Sequence, residues 1–228
     1  MPKPPDVMEP DWPATPGVRA FVTTRSLGDV KDPAARARLD ALLPAPPVWL
    51  KQVHGTTVVD AAAVARGTVP EADASSTFER SVVCTVMAAD CMPVLICARD
   101  GSVVAAAHAG WRGLCSGVIE QTIESMRTPA DRLIAYLGPA IGPTAYEVGT
   151  EVREAFLARD PASDVAFVAT RPGHWLLDLY AVARQRLAGK GVALVTGADH
   201  CTHSRPDLFF SYRRDKAMQR MAACIWRV

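Results

Sequence analysis

Three side chains stand out in an otherwise apolar run from Met87 to Leu114: Asp90, Cys91 and His108. Asp100-Gly101 between them is a two-residue turn signal, so 92–98 and 102–108 read as the arms of a hairpin. With Arg99 paired to Ser102, the register brings Pro93 opposite His108. Side chains alternate faces along a strand. Cys91 and His108 therefore share a face, on a diagonal whose backbone span is about 7–8 Å. Three chemistries suit such a pair. The two can be metal ligands in need of a third, or a thiol nucleophile with an imidazole that lowers its pKa. They can also be a packed thiol and a hydrogen-bonded core histidine, since cysteine is commonly buried.

The chain has 228 residues, 49% of them hydrophobic, with a net charge of +1. That is enough apolar material for a sizeable core, and the charge gives no case for nucleic-acid or membrane binding. The opening Met-Pro-Lys-Pro-Pro-Asp lacks the apolar run of a signal peptide,, and no apolar stretch reaches the ~20 residues that span a bilayer. A cytoplasmic protein is expected. Six cysteines are too sparse for a disulfide scaffold and read as thiols,. Asn is absent and Arg far outnumbers Lys, which we read as compositional bias.

Residues 1–17 read as an irregular, proline-rich arm, and 18–228 as a single domain. Strands are expected at 18–23, 48–50, 57–59, 82–88, 92–98, 102–108, 133–137, 192–195 and 221–228. Helices are expected at 32–43, 116–126, 151–158 and 177–187. Irregular alternation with a clear hairpin argues for a mixed-sheet α+β or layered α/β domain, not a doubly wound parallel sheet.

Five blocks occur in order: Trp49-Leu-Lys-Gln-Val-His-Gly55, Ala89-Asp-Cys-Met-Pro93, His108-Ala-Gly-Trp-Arg-Gly113, Leu137-Gly-Pro-Ala-Ile-Gly142 and Phe209-Phe-Ser-Tyr-Arg-Arg-Asp215. Together they resemble the YfiH family, long labelled laccase-like or multicopper polyphenol oxidase, whose members are regarded as purine nucleoside phosphorylases that also deaminate adenosine. The resemblance runs from about Val18 to the C-terminus. It implies an α+β fold in α/β/β/α layers, similar to the catalytic domain of the cytotoxic necrotising factor toxins. It also implies a zinc ion held by His54, Cys91 and His108, with copper as a possible substitute. Three protein ligands leave a fourth position free, as in catalytic zinc sites. The implied partners are a small nucleoside and phosphate, with the chain acting as monomer or homodimer. Because the toxins use a Cys-His pair, a hydrolase acting on amide bonds, as in peptidoglycan precursor editing, is the alternative.

Five histidines cannot furnish a multicopper oxidase,; polyphenol oxidation is at most a side activity with copper. The His-x-Glu and Cys-x-x-Cys signatures of cytidine-type deaminases are absent,, so deamination needs a different frame. Catalytic candidates are Cys91, His108, Asp73 and Arg25. Substrate-binding candidates are Gln52, Arg112, Arg213 and Tyr212, because an arginine fork suits phosphate and an aromatic wall suits a purine. Trp111 and Phe210 are further wall candidates. In strand geometry Asp90 would point away from Cys91, and only one of Arg213 and Arg214 would face the site. The His200-Cys-x-His203 run is not expected to hold a second metal, and the other cysteines read as packing. The chain departs from the family pattern twice. The loop after Arg25 is shortened, and Met218-Gln219-Arg220 stands where Thr-Gly-Arg is usual.

Overall fold

A computed structural model describes residues 5–13, 15 and 17–228. In chain order its strands and α-helices are β1 (Val7–Met8), β2 (Val18–Thr23), α1 (Pro33–Asp40), β3 (Val58–Asp60), β4 (Ala74–Thr77), β5 (Val83–Ala88), β6 (Met92–Ala98), β7 (Val104–Ala109), α2 (Trp111–Ser116), α3 (Val118–Ser125), β8 (Leu133–Leu137), β9 (Glu147–Gly149), α4 (Thr150–Arg159), β10 (Phe167–Arg171), β11 (His174–Leu177), α5 (Leu179–Gly189), β12 (Leu194–Gly197), α6 (Tyr212–Asp215) and β13 (Met221–Arg227).

Two sheets carry the site. A six-stranded mixed sheet runs β12-β8-β6-β7-β4-β3, and a four-stranded antiparallel sheet runs β1-β2-β13-β5. Alternation along the strands sorts their side chains. Val94 and Ile96 of β6 and Ala105 and Ala107 of β7 pack with Ile119 of α3, Phe156 of α4 and Val182 of α5. Leu95 and Cys97, with Val104 and Ala106, instead meet Ala20, Val86 and Ile225 of the smaller sheet. The outer face of that sheet, at Phe21 and Cys224, is covered by Ala35 and Leu39 of α1. The layers are therefore helix, sheet, sheet, helices, a mixed α+β fold as expected. Helix α1 starts where its sequence says it should: the Asp32 side chain accepts from Ala34 N at 2.8 Å, and Pro33 follows at the first helical position,.

The hairpin register is the one inferred from Asp100-Gly101, with Pro93 opposite His108. Several features differ from expectation. Val7–Met8 pairs with β2, so the arm is not wholly irregular; residues 1–4, 14 and 16 lie outside the described residues. Helix begins at Trp111, five residues earlier than expected, and breaks at Gly117, whose φ of 104° lies in the left-handed region,. Strand β4 and the three-stranded sheet β10-β11-β9 were not anticipated. Arg213 and Arg214 lie in α6, a helical turn capped by the Ser211 side chain, not in a strand. The argument that they point to opposite faces does not apply. Among the described residues no helix is long and apolar enough to cross a membrane.

Candidate metal centre

His108 occupies the last turn of pleat in β7, on the face that looks toward the smaller sheet, as Val104 and Ala106 do,. Cys91 precedes β6 at the same end. His54 arrives from the loop between Leu50 and β3. The ligand atoms of His54, Cys91 and His108 all lie within 4.8 Å of one another. Cys91 Sγ is 3.8 Å from His54 Nε2, and the two imidazole centroids are 4.9 Å apart. His108 is buried, Cys91 is half-buried and His54 is exposed, so the cluster is closed at its base and open to solvent.

Asp73 organises both histidines. Its carboxylate is fully buried and takes four donors. Oδ1 accepts from His108 Nδ1 at 2.8 Å and from His54 N at 2.9 Å, while Oδ2 accepts from Val53 N at 3.1 Å and Gly55 N at 2.7 Å. The three consecutive backbone N–H groups form an anion nest, made possible by the positive φ of His54, 62°,. His108 N also donates to the Asp73 carbonyl at 2.7 Å. Burial would raise the Asp73 pKa, but the hydrogen bonds from His108, Gly55 and Val53 outweigh it and hold the group below its ordinary value,. An ionised carboxylate can only accept, so Nδ1 of His108 carries the proton and Nε2 is the ligand atom. That is the carboxylate–histidine arrangement of metal sites. Asp73 thus positions ligands; with both oxygens engaged, it is not placed to exchange protons with a substrate.

Without a metal the thiol and imidazole polarise each other. Burial pushes the Cys91 pKa up, yet the charge and hydrogen bond of His108, helped by His54, bring it down to about 6. Burial pushes His108 down, but Cys91 and Asp73 raise it to about 9. The pair rests as thiolate and imidazolium at neutral pH.

The donor set fits a small ion of tetrahedral preference. Such an ion, at about 2.0 Å from nitrogen and 2.3 Å from sulfur, spaces its ligands about 3.3–3.5 Å apart; Cys91 Sγ and His54 Nε2, at 3.8 Å, lie near that spacing. The space for it is kept by Gly110. A Cβ on that residue would stand 2.9 Å from Cys91 Sγ and 2.9 Å from His54 Cδ2. Gly113 is needed for approach of a different kind, since a Cβ there would meet the Gly55 carbonyl at 2.9 Å. These two glycines of the Gly-Trp-Arg-Gly block let α2 lie against the His54 turn.

A cleft of about 310 Å³ opens over the cluster, a size that suits one small ligand. A groove of about 660 Å³ between α1 and the 61–69 segment is larger but holds none of the three ligands. The cleft brings His54, Cys91, His108 and Gln52 together with Lys31, Lys51, Met218 and Arg220. Gln52 does not offer its amide to a substrate, for Nε2 donates to Met87 O at 2.8 Å and Oε1 accepts from Met87 N at 2.7 Å. It ties the His54 loop to β5.

The other candidates do not line that cleft, although Arg112 and Arg213 both lie by Tyr146, which feels the charge of Cys91. Arg25 donates to Pro206 O and lies 5.2 Å over Phe210. Arg112 stacks on Trp111 at 4.4 Å. Arg213 lies 5.0 Å over Tyr146 and donates to Glu147 O. Tyr212 is exposed beside Lys216. Asp90, at φ 87°, is not in strand geometry. Its carboxylate accepts from Thr202 Oγ1 and Arg213 N, each at 2.6 Å, and so fastens the 202–213 segment next to Cys91. Cys201 Sγ accepts from Gly142 N at 3.1 Å and Ser204 Oγ at 3.3 Å. Lys31, Lys51, Met218 and Arg220 were not singled out as site residues from sequence; for Lys31 and Arg220 the available signal was a cation at each of the two departures from the family pattern, and for Lys51 its place in the His54 block.

A family model described as multi-copper polyphenol oxidoreductase laccase matches residues 25–228. The purine nucleoside phosphorylase YfiH of Escherichia coli is 46% identical over 239 residues, covering 96% of this chain and 98% of its own length. A purine nucleoside phosphorylase of Pseudomonas aeruginosa is 47% identical, with 96% and 97% covered. Among solved structures, protein NMB0706 of Neisseria meningitidis superposes with a TM-score of 0.94 at 43% identity, over 98% of this chain and 99% of that one. YlmD from Geobacillus stearothermophilus gives 0.86 at 30% identity, over 100% and 98%. Ordered blocks, shared fold and near-complete mutual coverage agree: the chain belongs to the YfiH family, the laccase-like family described as multi-copper polyphenol oxidoreductase.

Proposed function

We propose that this chain is a zinc-dependent purine nucleoside phosphorylase that also deaminates adenosine. Adenosine, inosine, guanosine and methylthioadenosine are its proposed nucleosides. The observation that carries this reading is the convergence of His54, Cys91 and His108 beneath a cleft whose lining, among the described residues, has three cations and no carboxylate. The 46–47% identical relatives, named as purine nucleoside phosphorylases, support it. Phosphorolysis joins a phosphate oxygen to C1′ of the nucleoside and breaks the bond from C1′ to the purine. The products are the base and a pentose 1-phosphate.

His54 Nε2, Cys91 Sγ and His108 Nε2 would hold the metal. Zinc, when bound, supplies Lewis-acid polarisation at the fourth position. Asp73 fixes the tautomer and angle of His108 and the backbone of His54, so the ligands are oriented before any ion arrives,. The cationic lining draws phosphate toward the cleft, and Met218, 60% exposed, offers an apolar flank for a base,. The six cysteines are free thiols, which suits a reducing cytoplasm. Residues 18–228 act in this reading as one catalytic domain.

The test is elemental analysis of untagged protein followed by a nucleoside panel with and without phosphate. About one zinc per chain and phosphate-dependent release of hypoxanthine from inosine are expected. Metal-replete protein that releases no base would refute the phosphorylase reading. One observation favours a second reading: Cys91, His108 and Asp73 form a thiol–imidazole–carboxylate series with the thiol pKa near 6, the arrangement of a cysteine hydrolase. Protein isolated without metal, with Cys91 rapidly alkylated and an amide substrate cleaved, would favour it.

A further inference from the structure

The loop that follows Arg25 and the segment that precedes β13 are joined to each other. Val30 N donates to Arg220 O at 3.1 Å, and Arg220 N donates to Asp29 Oδ1 at 3.0 Å. Lys31 N donates to the same oxygen at 3.1 Å. This small knot fixes the backbone at Lys31 and Arg220, both of which line the cleft that holds the metal ligands. Asp29 Oδ1 is thereby engaged by main-chain donors. Among the described residues neither the Lys31 ammonium nor the Arg220 guanidinium makes an ion pair; Arg220 Nη1 donates only to the neighbouring Gln219 carbonyl at 2.8 Å. Arg220 is nevertheless half-buried. A guanidinium on an open cleft whose fork no carboxylate fills is available to an anion. The third cation, Lys51, differs: Glu71 already neutralises it at 3.0 Å.

We propose that Arg220 and Lys31 form a phosphate-binding subsite at the mouth of the cleft, adjoining the His54–Cys91–His108 cluster. Arg220 presents two parallel N–H donors to a pair of phosphate oxygens, and Lys31 supplies a mobile point charge to the dianion. The phosphate is either free inorganic phosphate or one carried by the nucleoside. The biological role given to this subsite rests on the phosphorolytic reading; its binding does not.

The experiment is isothermal titration of zinc-loaded protein with inorganic phosphate, adenosine and adenosine 5′-monophosphate. It uses the wild type, Arg220→Met, Arg220→Lys, Lys31→Met and, as a matched charge loss outside the cleft, Lys190→Met. Zinc content and melting temperature of each variant establish that the cluster is intact. Arg220→Met and Lys31→Met should each weaken phosphate binding about tenfold or more. Arg220→Lys should recover part of the loss, and Lys190→Met should match the wild type. If the monophosphate binds more tightly than adenosine by a factor the variants lose, while free phosphate binds feebly, the subsite stands and its ligand is the nucleoside-borne group. Binding of every phosphate probe within twofold across the variants, or no binding of any by the wild type, overturns the proposal. Base release in parallel separates the two readings. Phosphate bound at Arg220 with no phosphorolysis removes the function and keeps the subsite. Phosphorolysis with an unchanged KM for phosphate in the variants does the reverse.

Discussion

Replacing Asp73 by Asn keeps shape and removes charge, and its effect follows from the four donors at that carboxylate. An amide has one acceptor oxygen and one donor group, so two of the four N–H groups must face an NH2. If the oxygen stays at the Oδ1 position, Val53 N and Gly55 N are orphaned and the His54 turn loosens. If it moves to Oδ2, the NH2 faces Nδ1 of His108. That imidazole must then change tautomer and turn a proton toward the metal. The first outcome leaves two unsatisfied donors and the second leaves His54 N unsatisfied besides the tautomer change; at about 1–3 kcal/mol per donor the loss is roughly 1–6 kcal/mol. At about 2–4 °C per kcal/mol for a chain of this size, metal-free protein should melt at least about 2 °C lower. Zinc affinity should fall about 10–100-fold, as when partners of ligand histidines are lost. Competition with a chromogenic chelator measures the second quantity and calorimetry the first. A D73N protein that holds zinc within about threefold of wild type and melts within a degree of it would refute the assignment of Asp73 as the organiser of both histidines.

Further outcomes follow from the same geometry. Gly110→Ala should abolish stoichiometric zinc with little loss of fold, because its φ of −68° suits any residue while its methyl would press on Cys91 Sγ and His54; metal content and a melting curve separate the two effects. In metal-free protein, mass-mapped alkylation should mark Cys91 at pH 7 and fade as pH falls through about 6. Cys84, Cys97 and Cys224, pushed by burial to about 12, should stay unlabelled,. The lowered Cys91 pKa adds stability that is lost as pH falls through about 6, and the raised His108 pKa adds stability that is lost as pH rises through about 9. Between about 6.5 and 9 folded and unfolded forms of the pair bind the same number of protons. Its contribution to a metal-free melting curve should therefore be flat there. Tyr180→Phe should cost about 1–3 kcal/mol, seen in urea denaturation, because its hydroxyl bonds Ala140 N and His200 O, each at 2.7 Å, and so ties two loops,.

The sequence made the hairpin legible because a two-residue turn and strict alternation determine register, and Pro93 does face His108. The third ligand needed the family blocks, since nothing in the spacing of His54 points at a strand 54 residues away. Asp73 was legible as an acid/base or capping candidate, but not as the organiser of two histidines. Its role depends on three successive N–H groups turned inward by one left-handed residue, a backbone event that side-chain pattern does not encode. The arginines chosen from motif blocks, Arg25, Arg112 and Arg213, stack on Phe210, Trp111 and Tyr146. None of the three lines the cleft, but Arg112 and Arg213 both lie by Tyr146 on the Cys91 side of the cluster, a placement that the blocks alone do not specify. The cations that do reach the cleft lie at a loop end and before a strand, held by a main-chain knot between segments about 190 positions apart.

The order β1-β2-β13-β5 makes the smaller sheet depend on its inner strand. Strand β13 lies between β2 and β5 and supplies Ala223 and Ile225 to the layer beneath the ligand strands. Met87 and Ala88 of the cleft wall pair with Ala222 and Met221 of that same strand. A perturbation that frays β13 therefore reaches the ligand cluster from behind, with no substitution near a ligand.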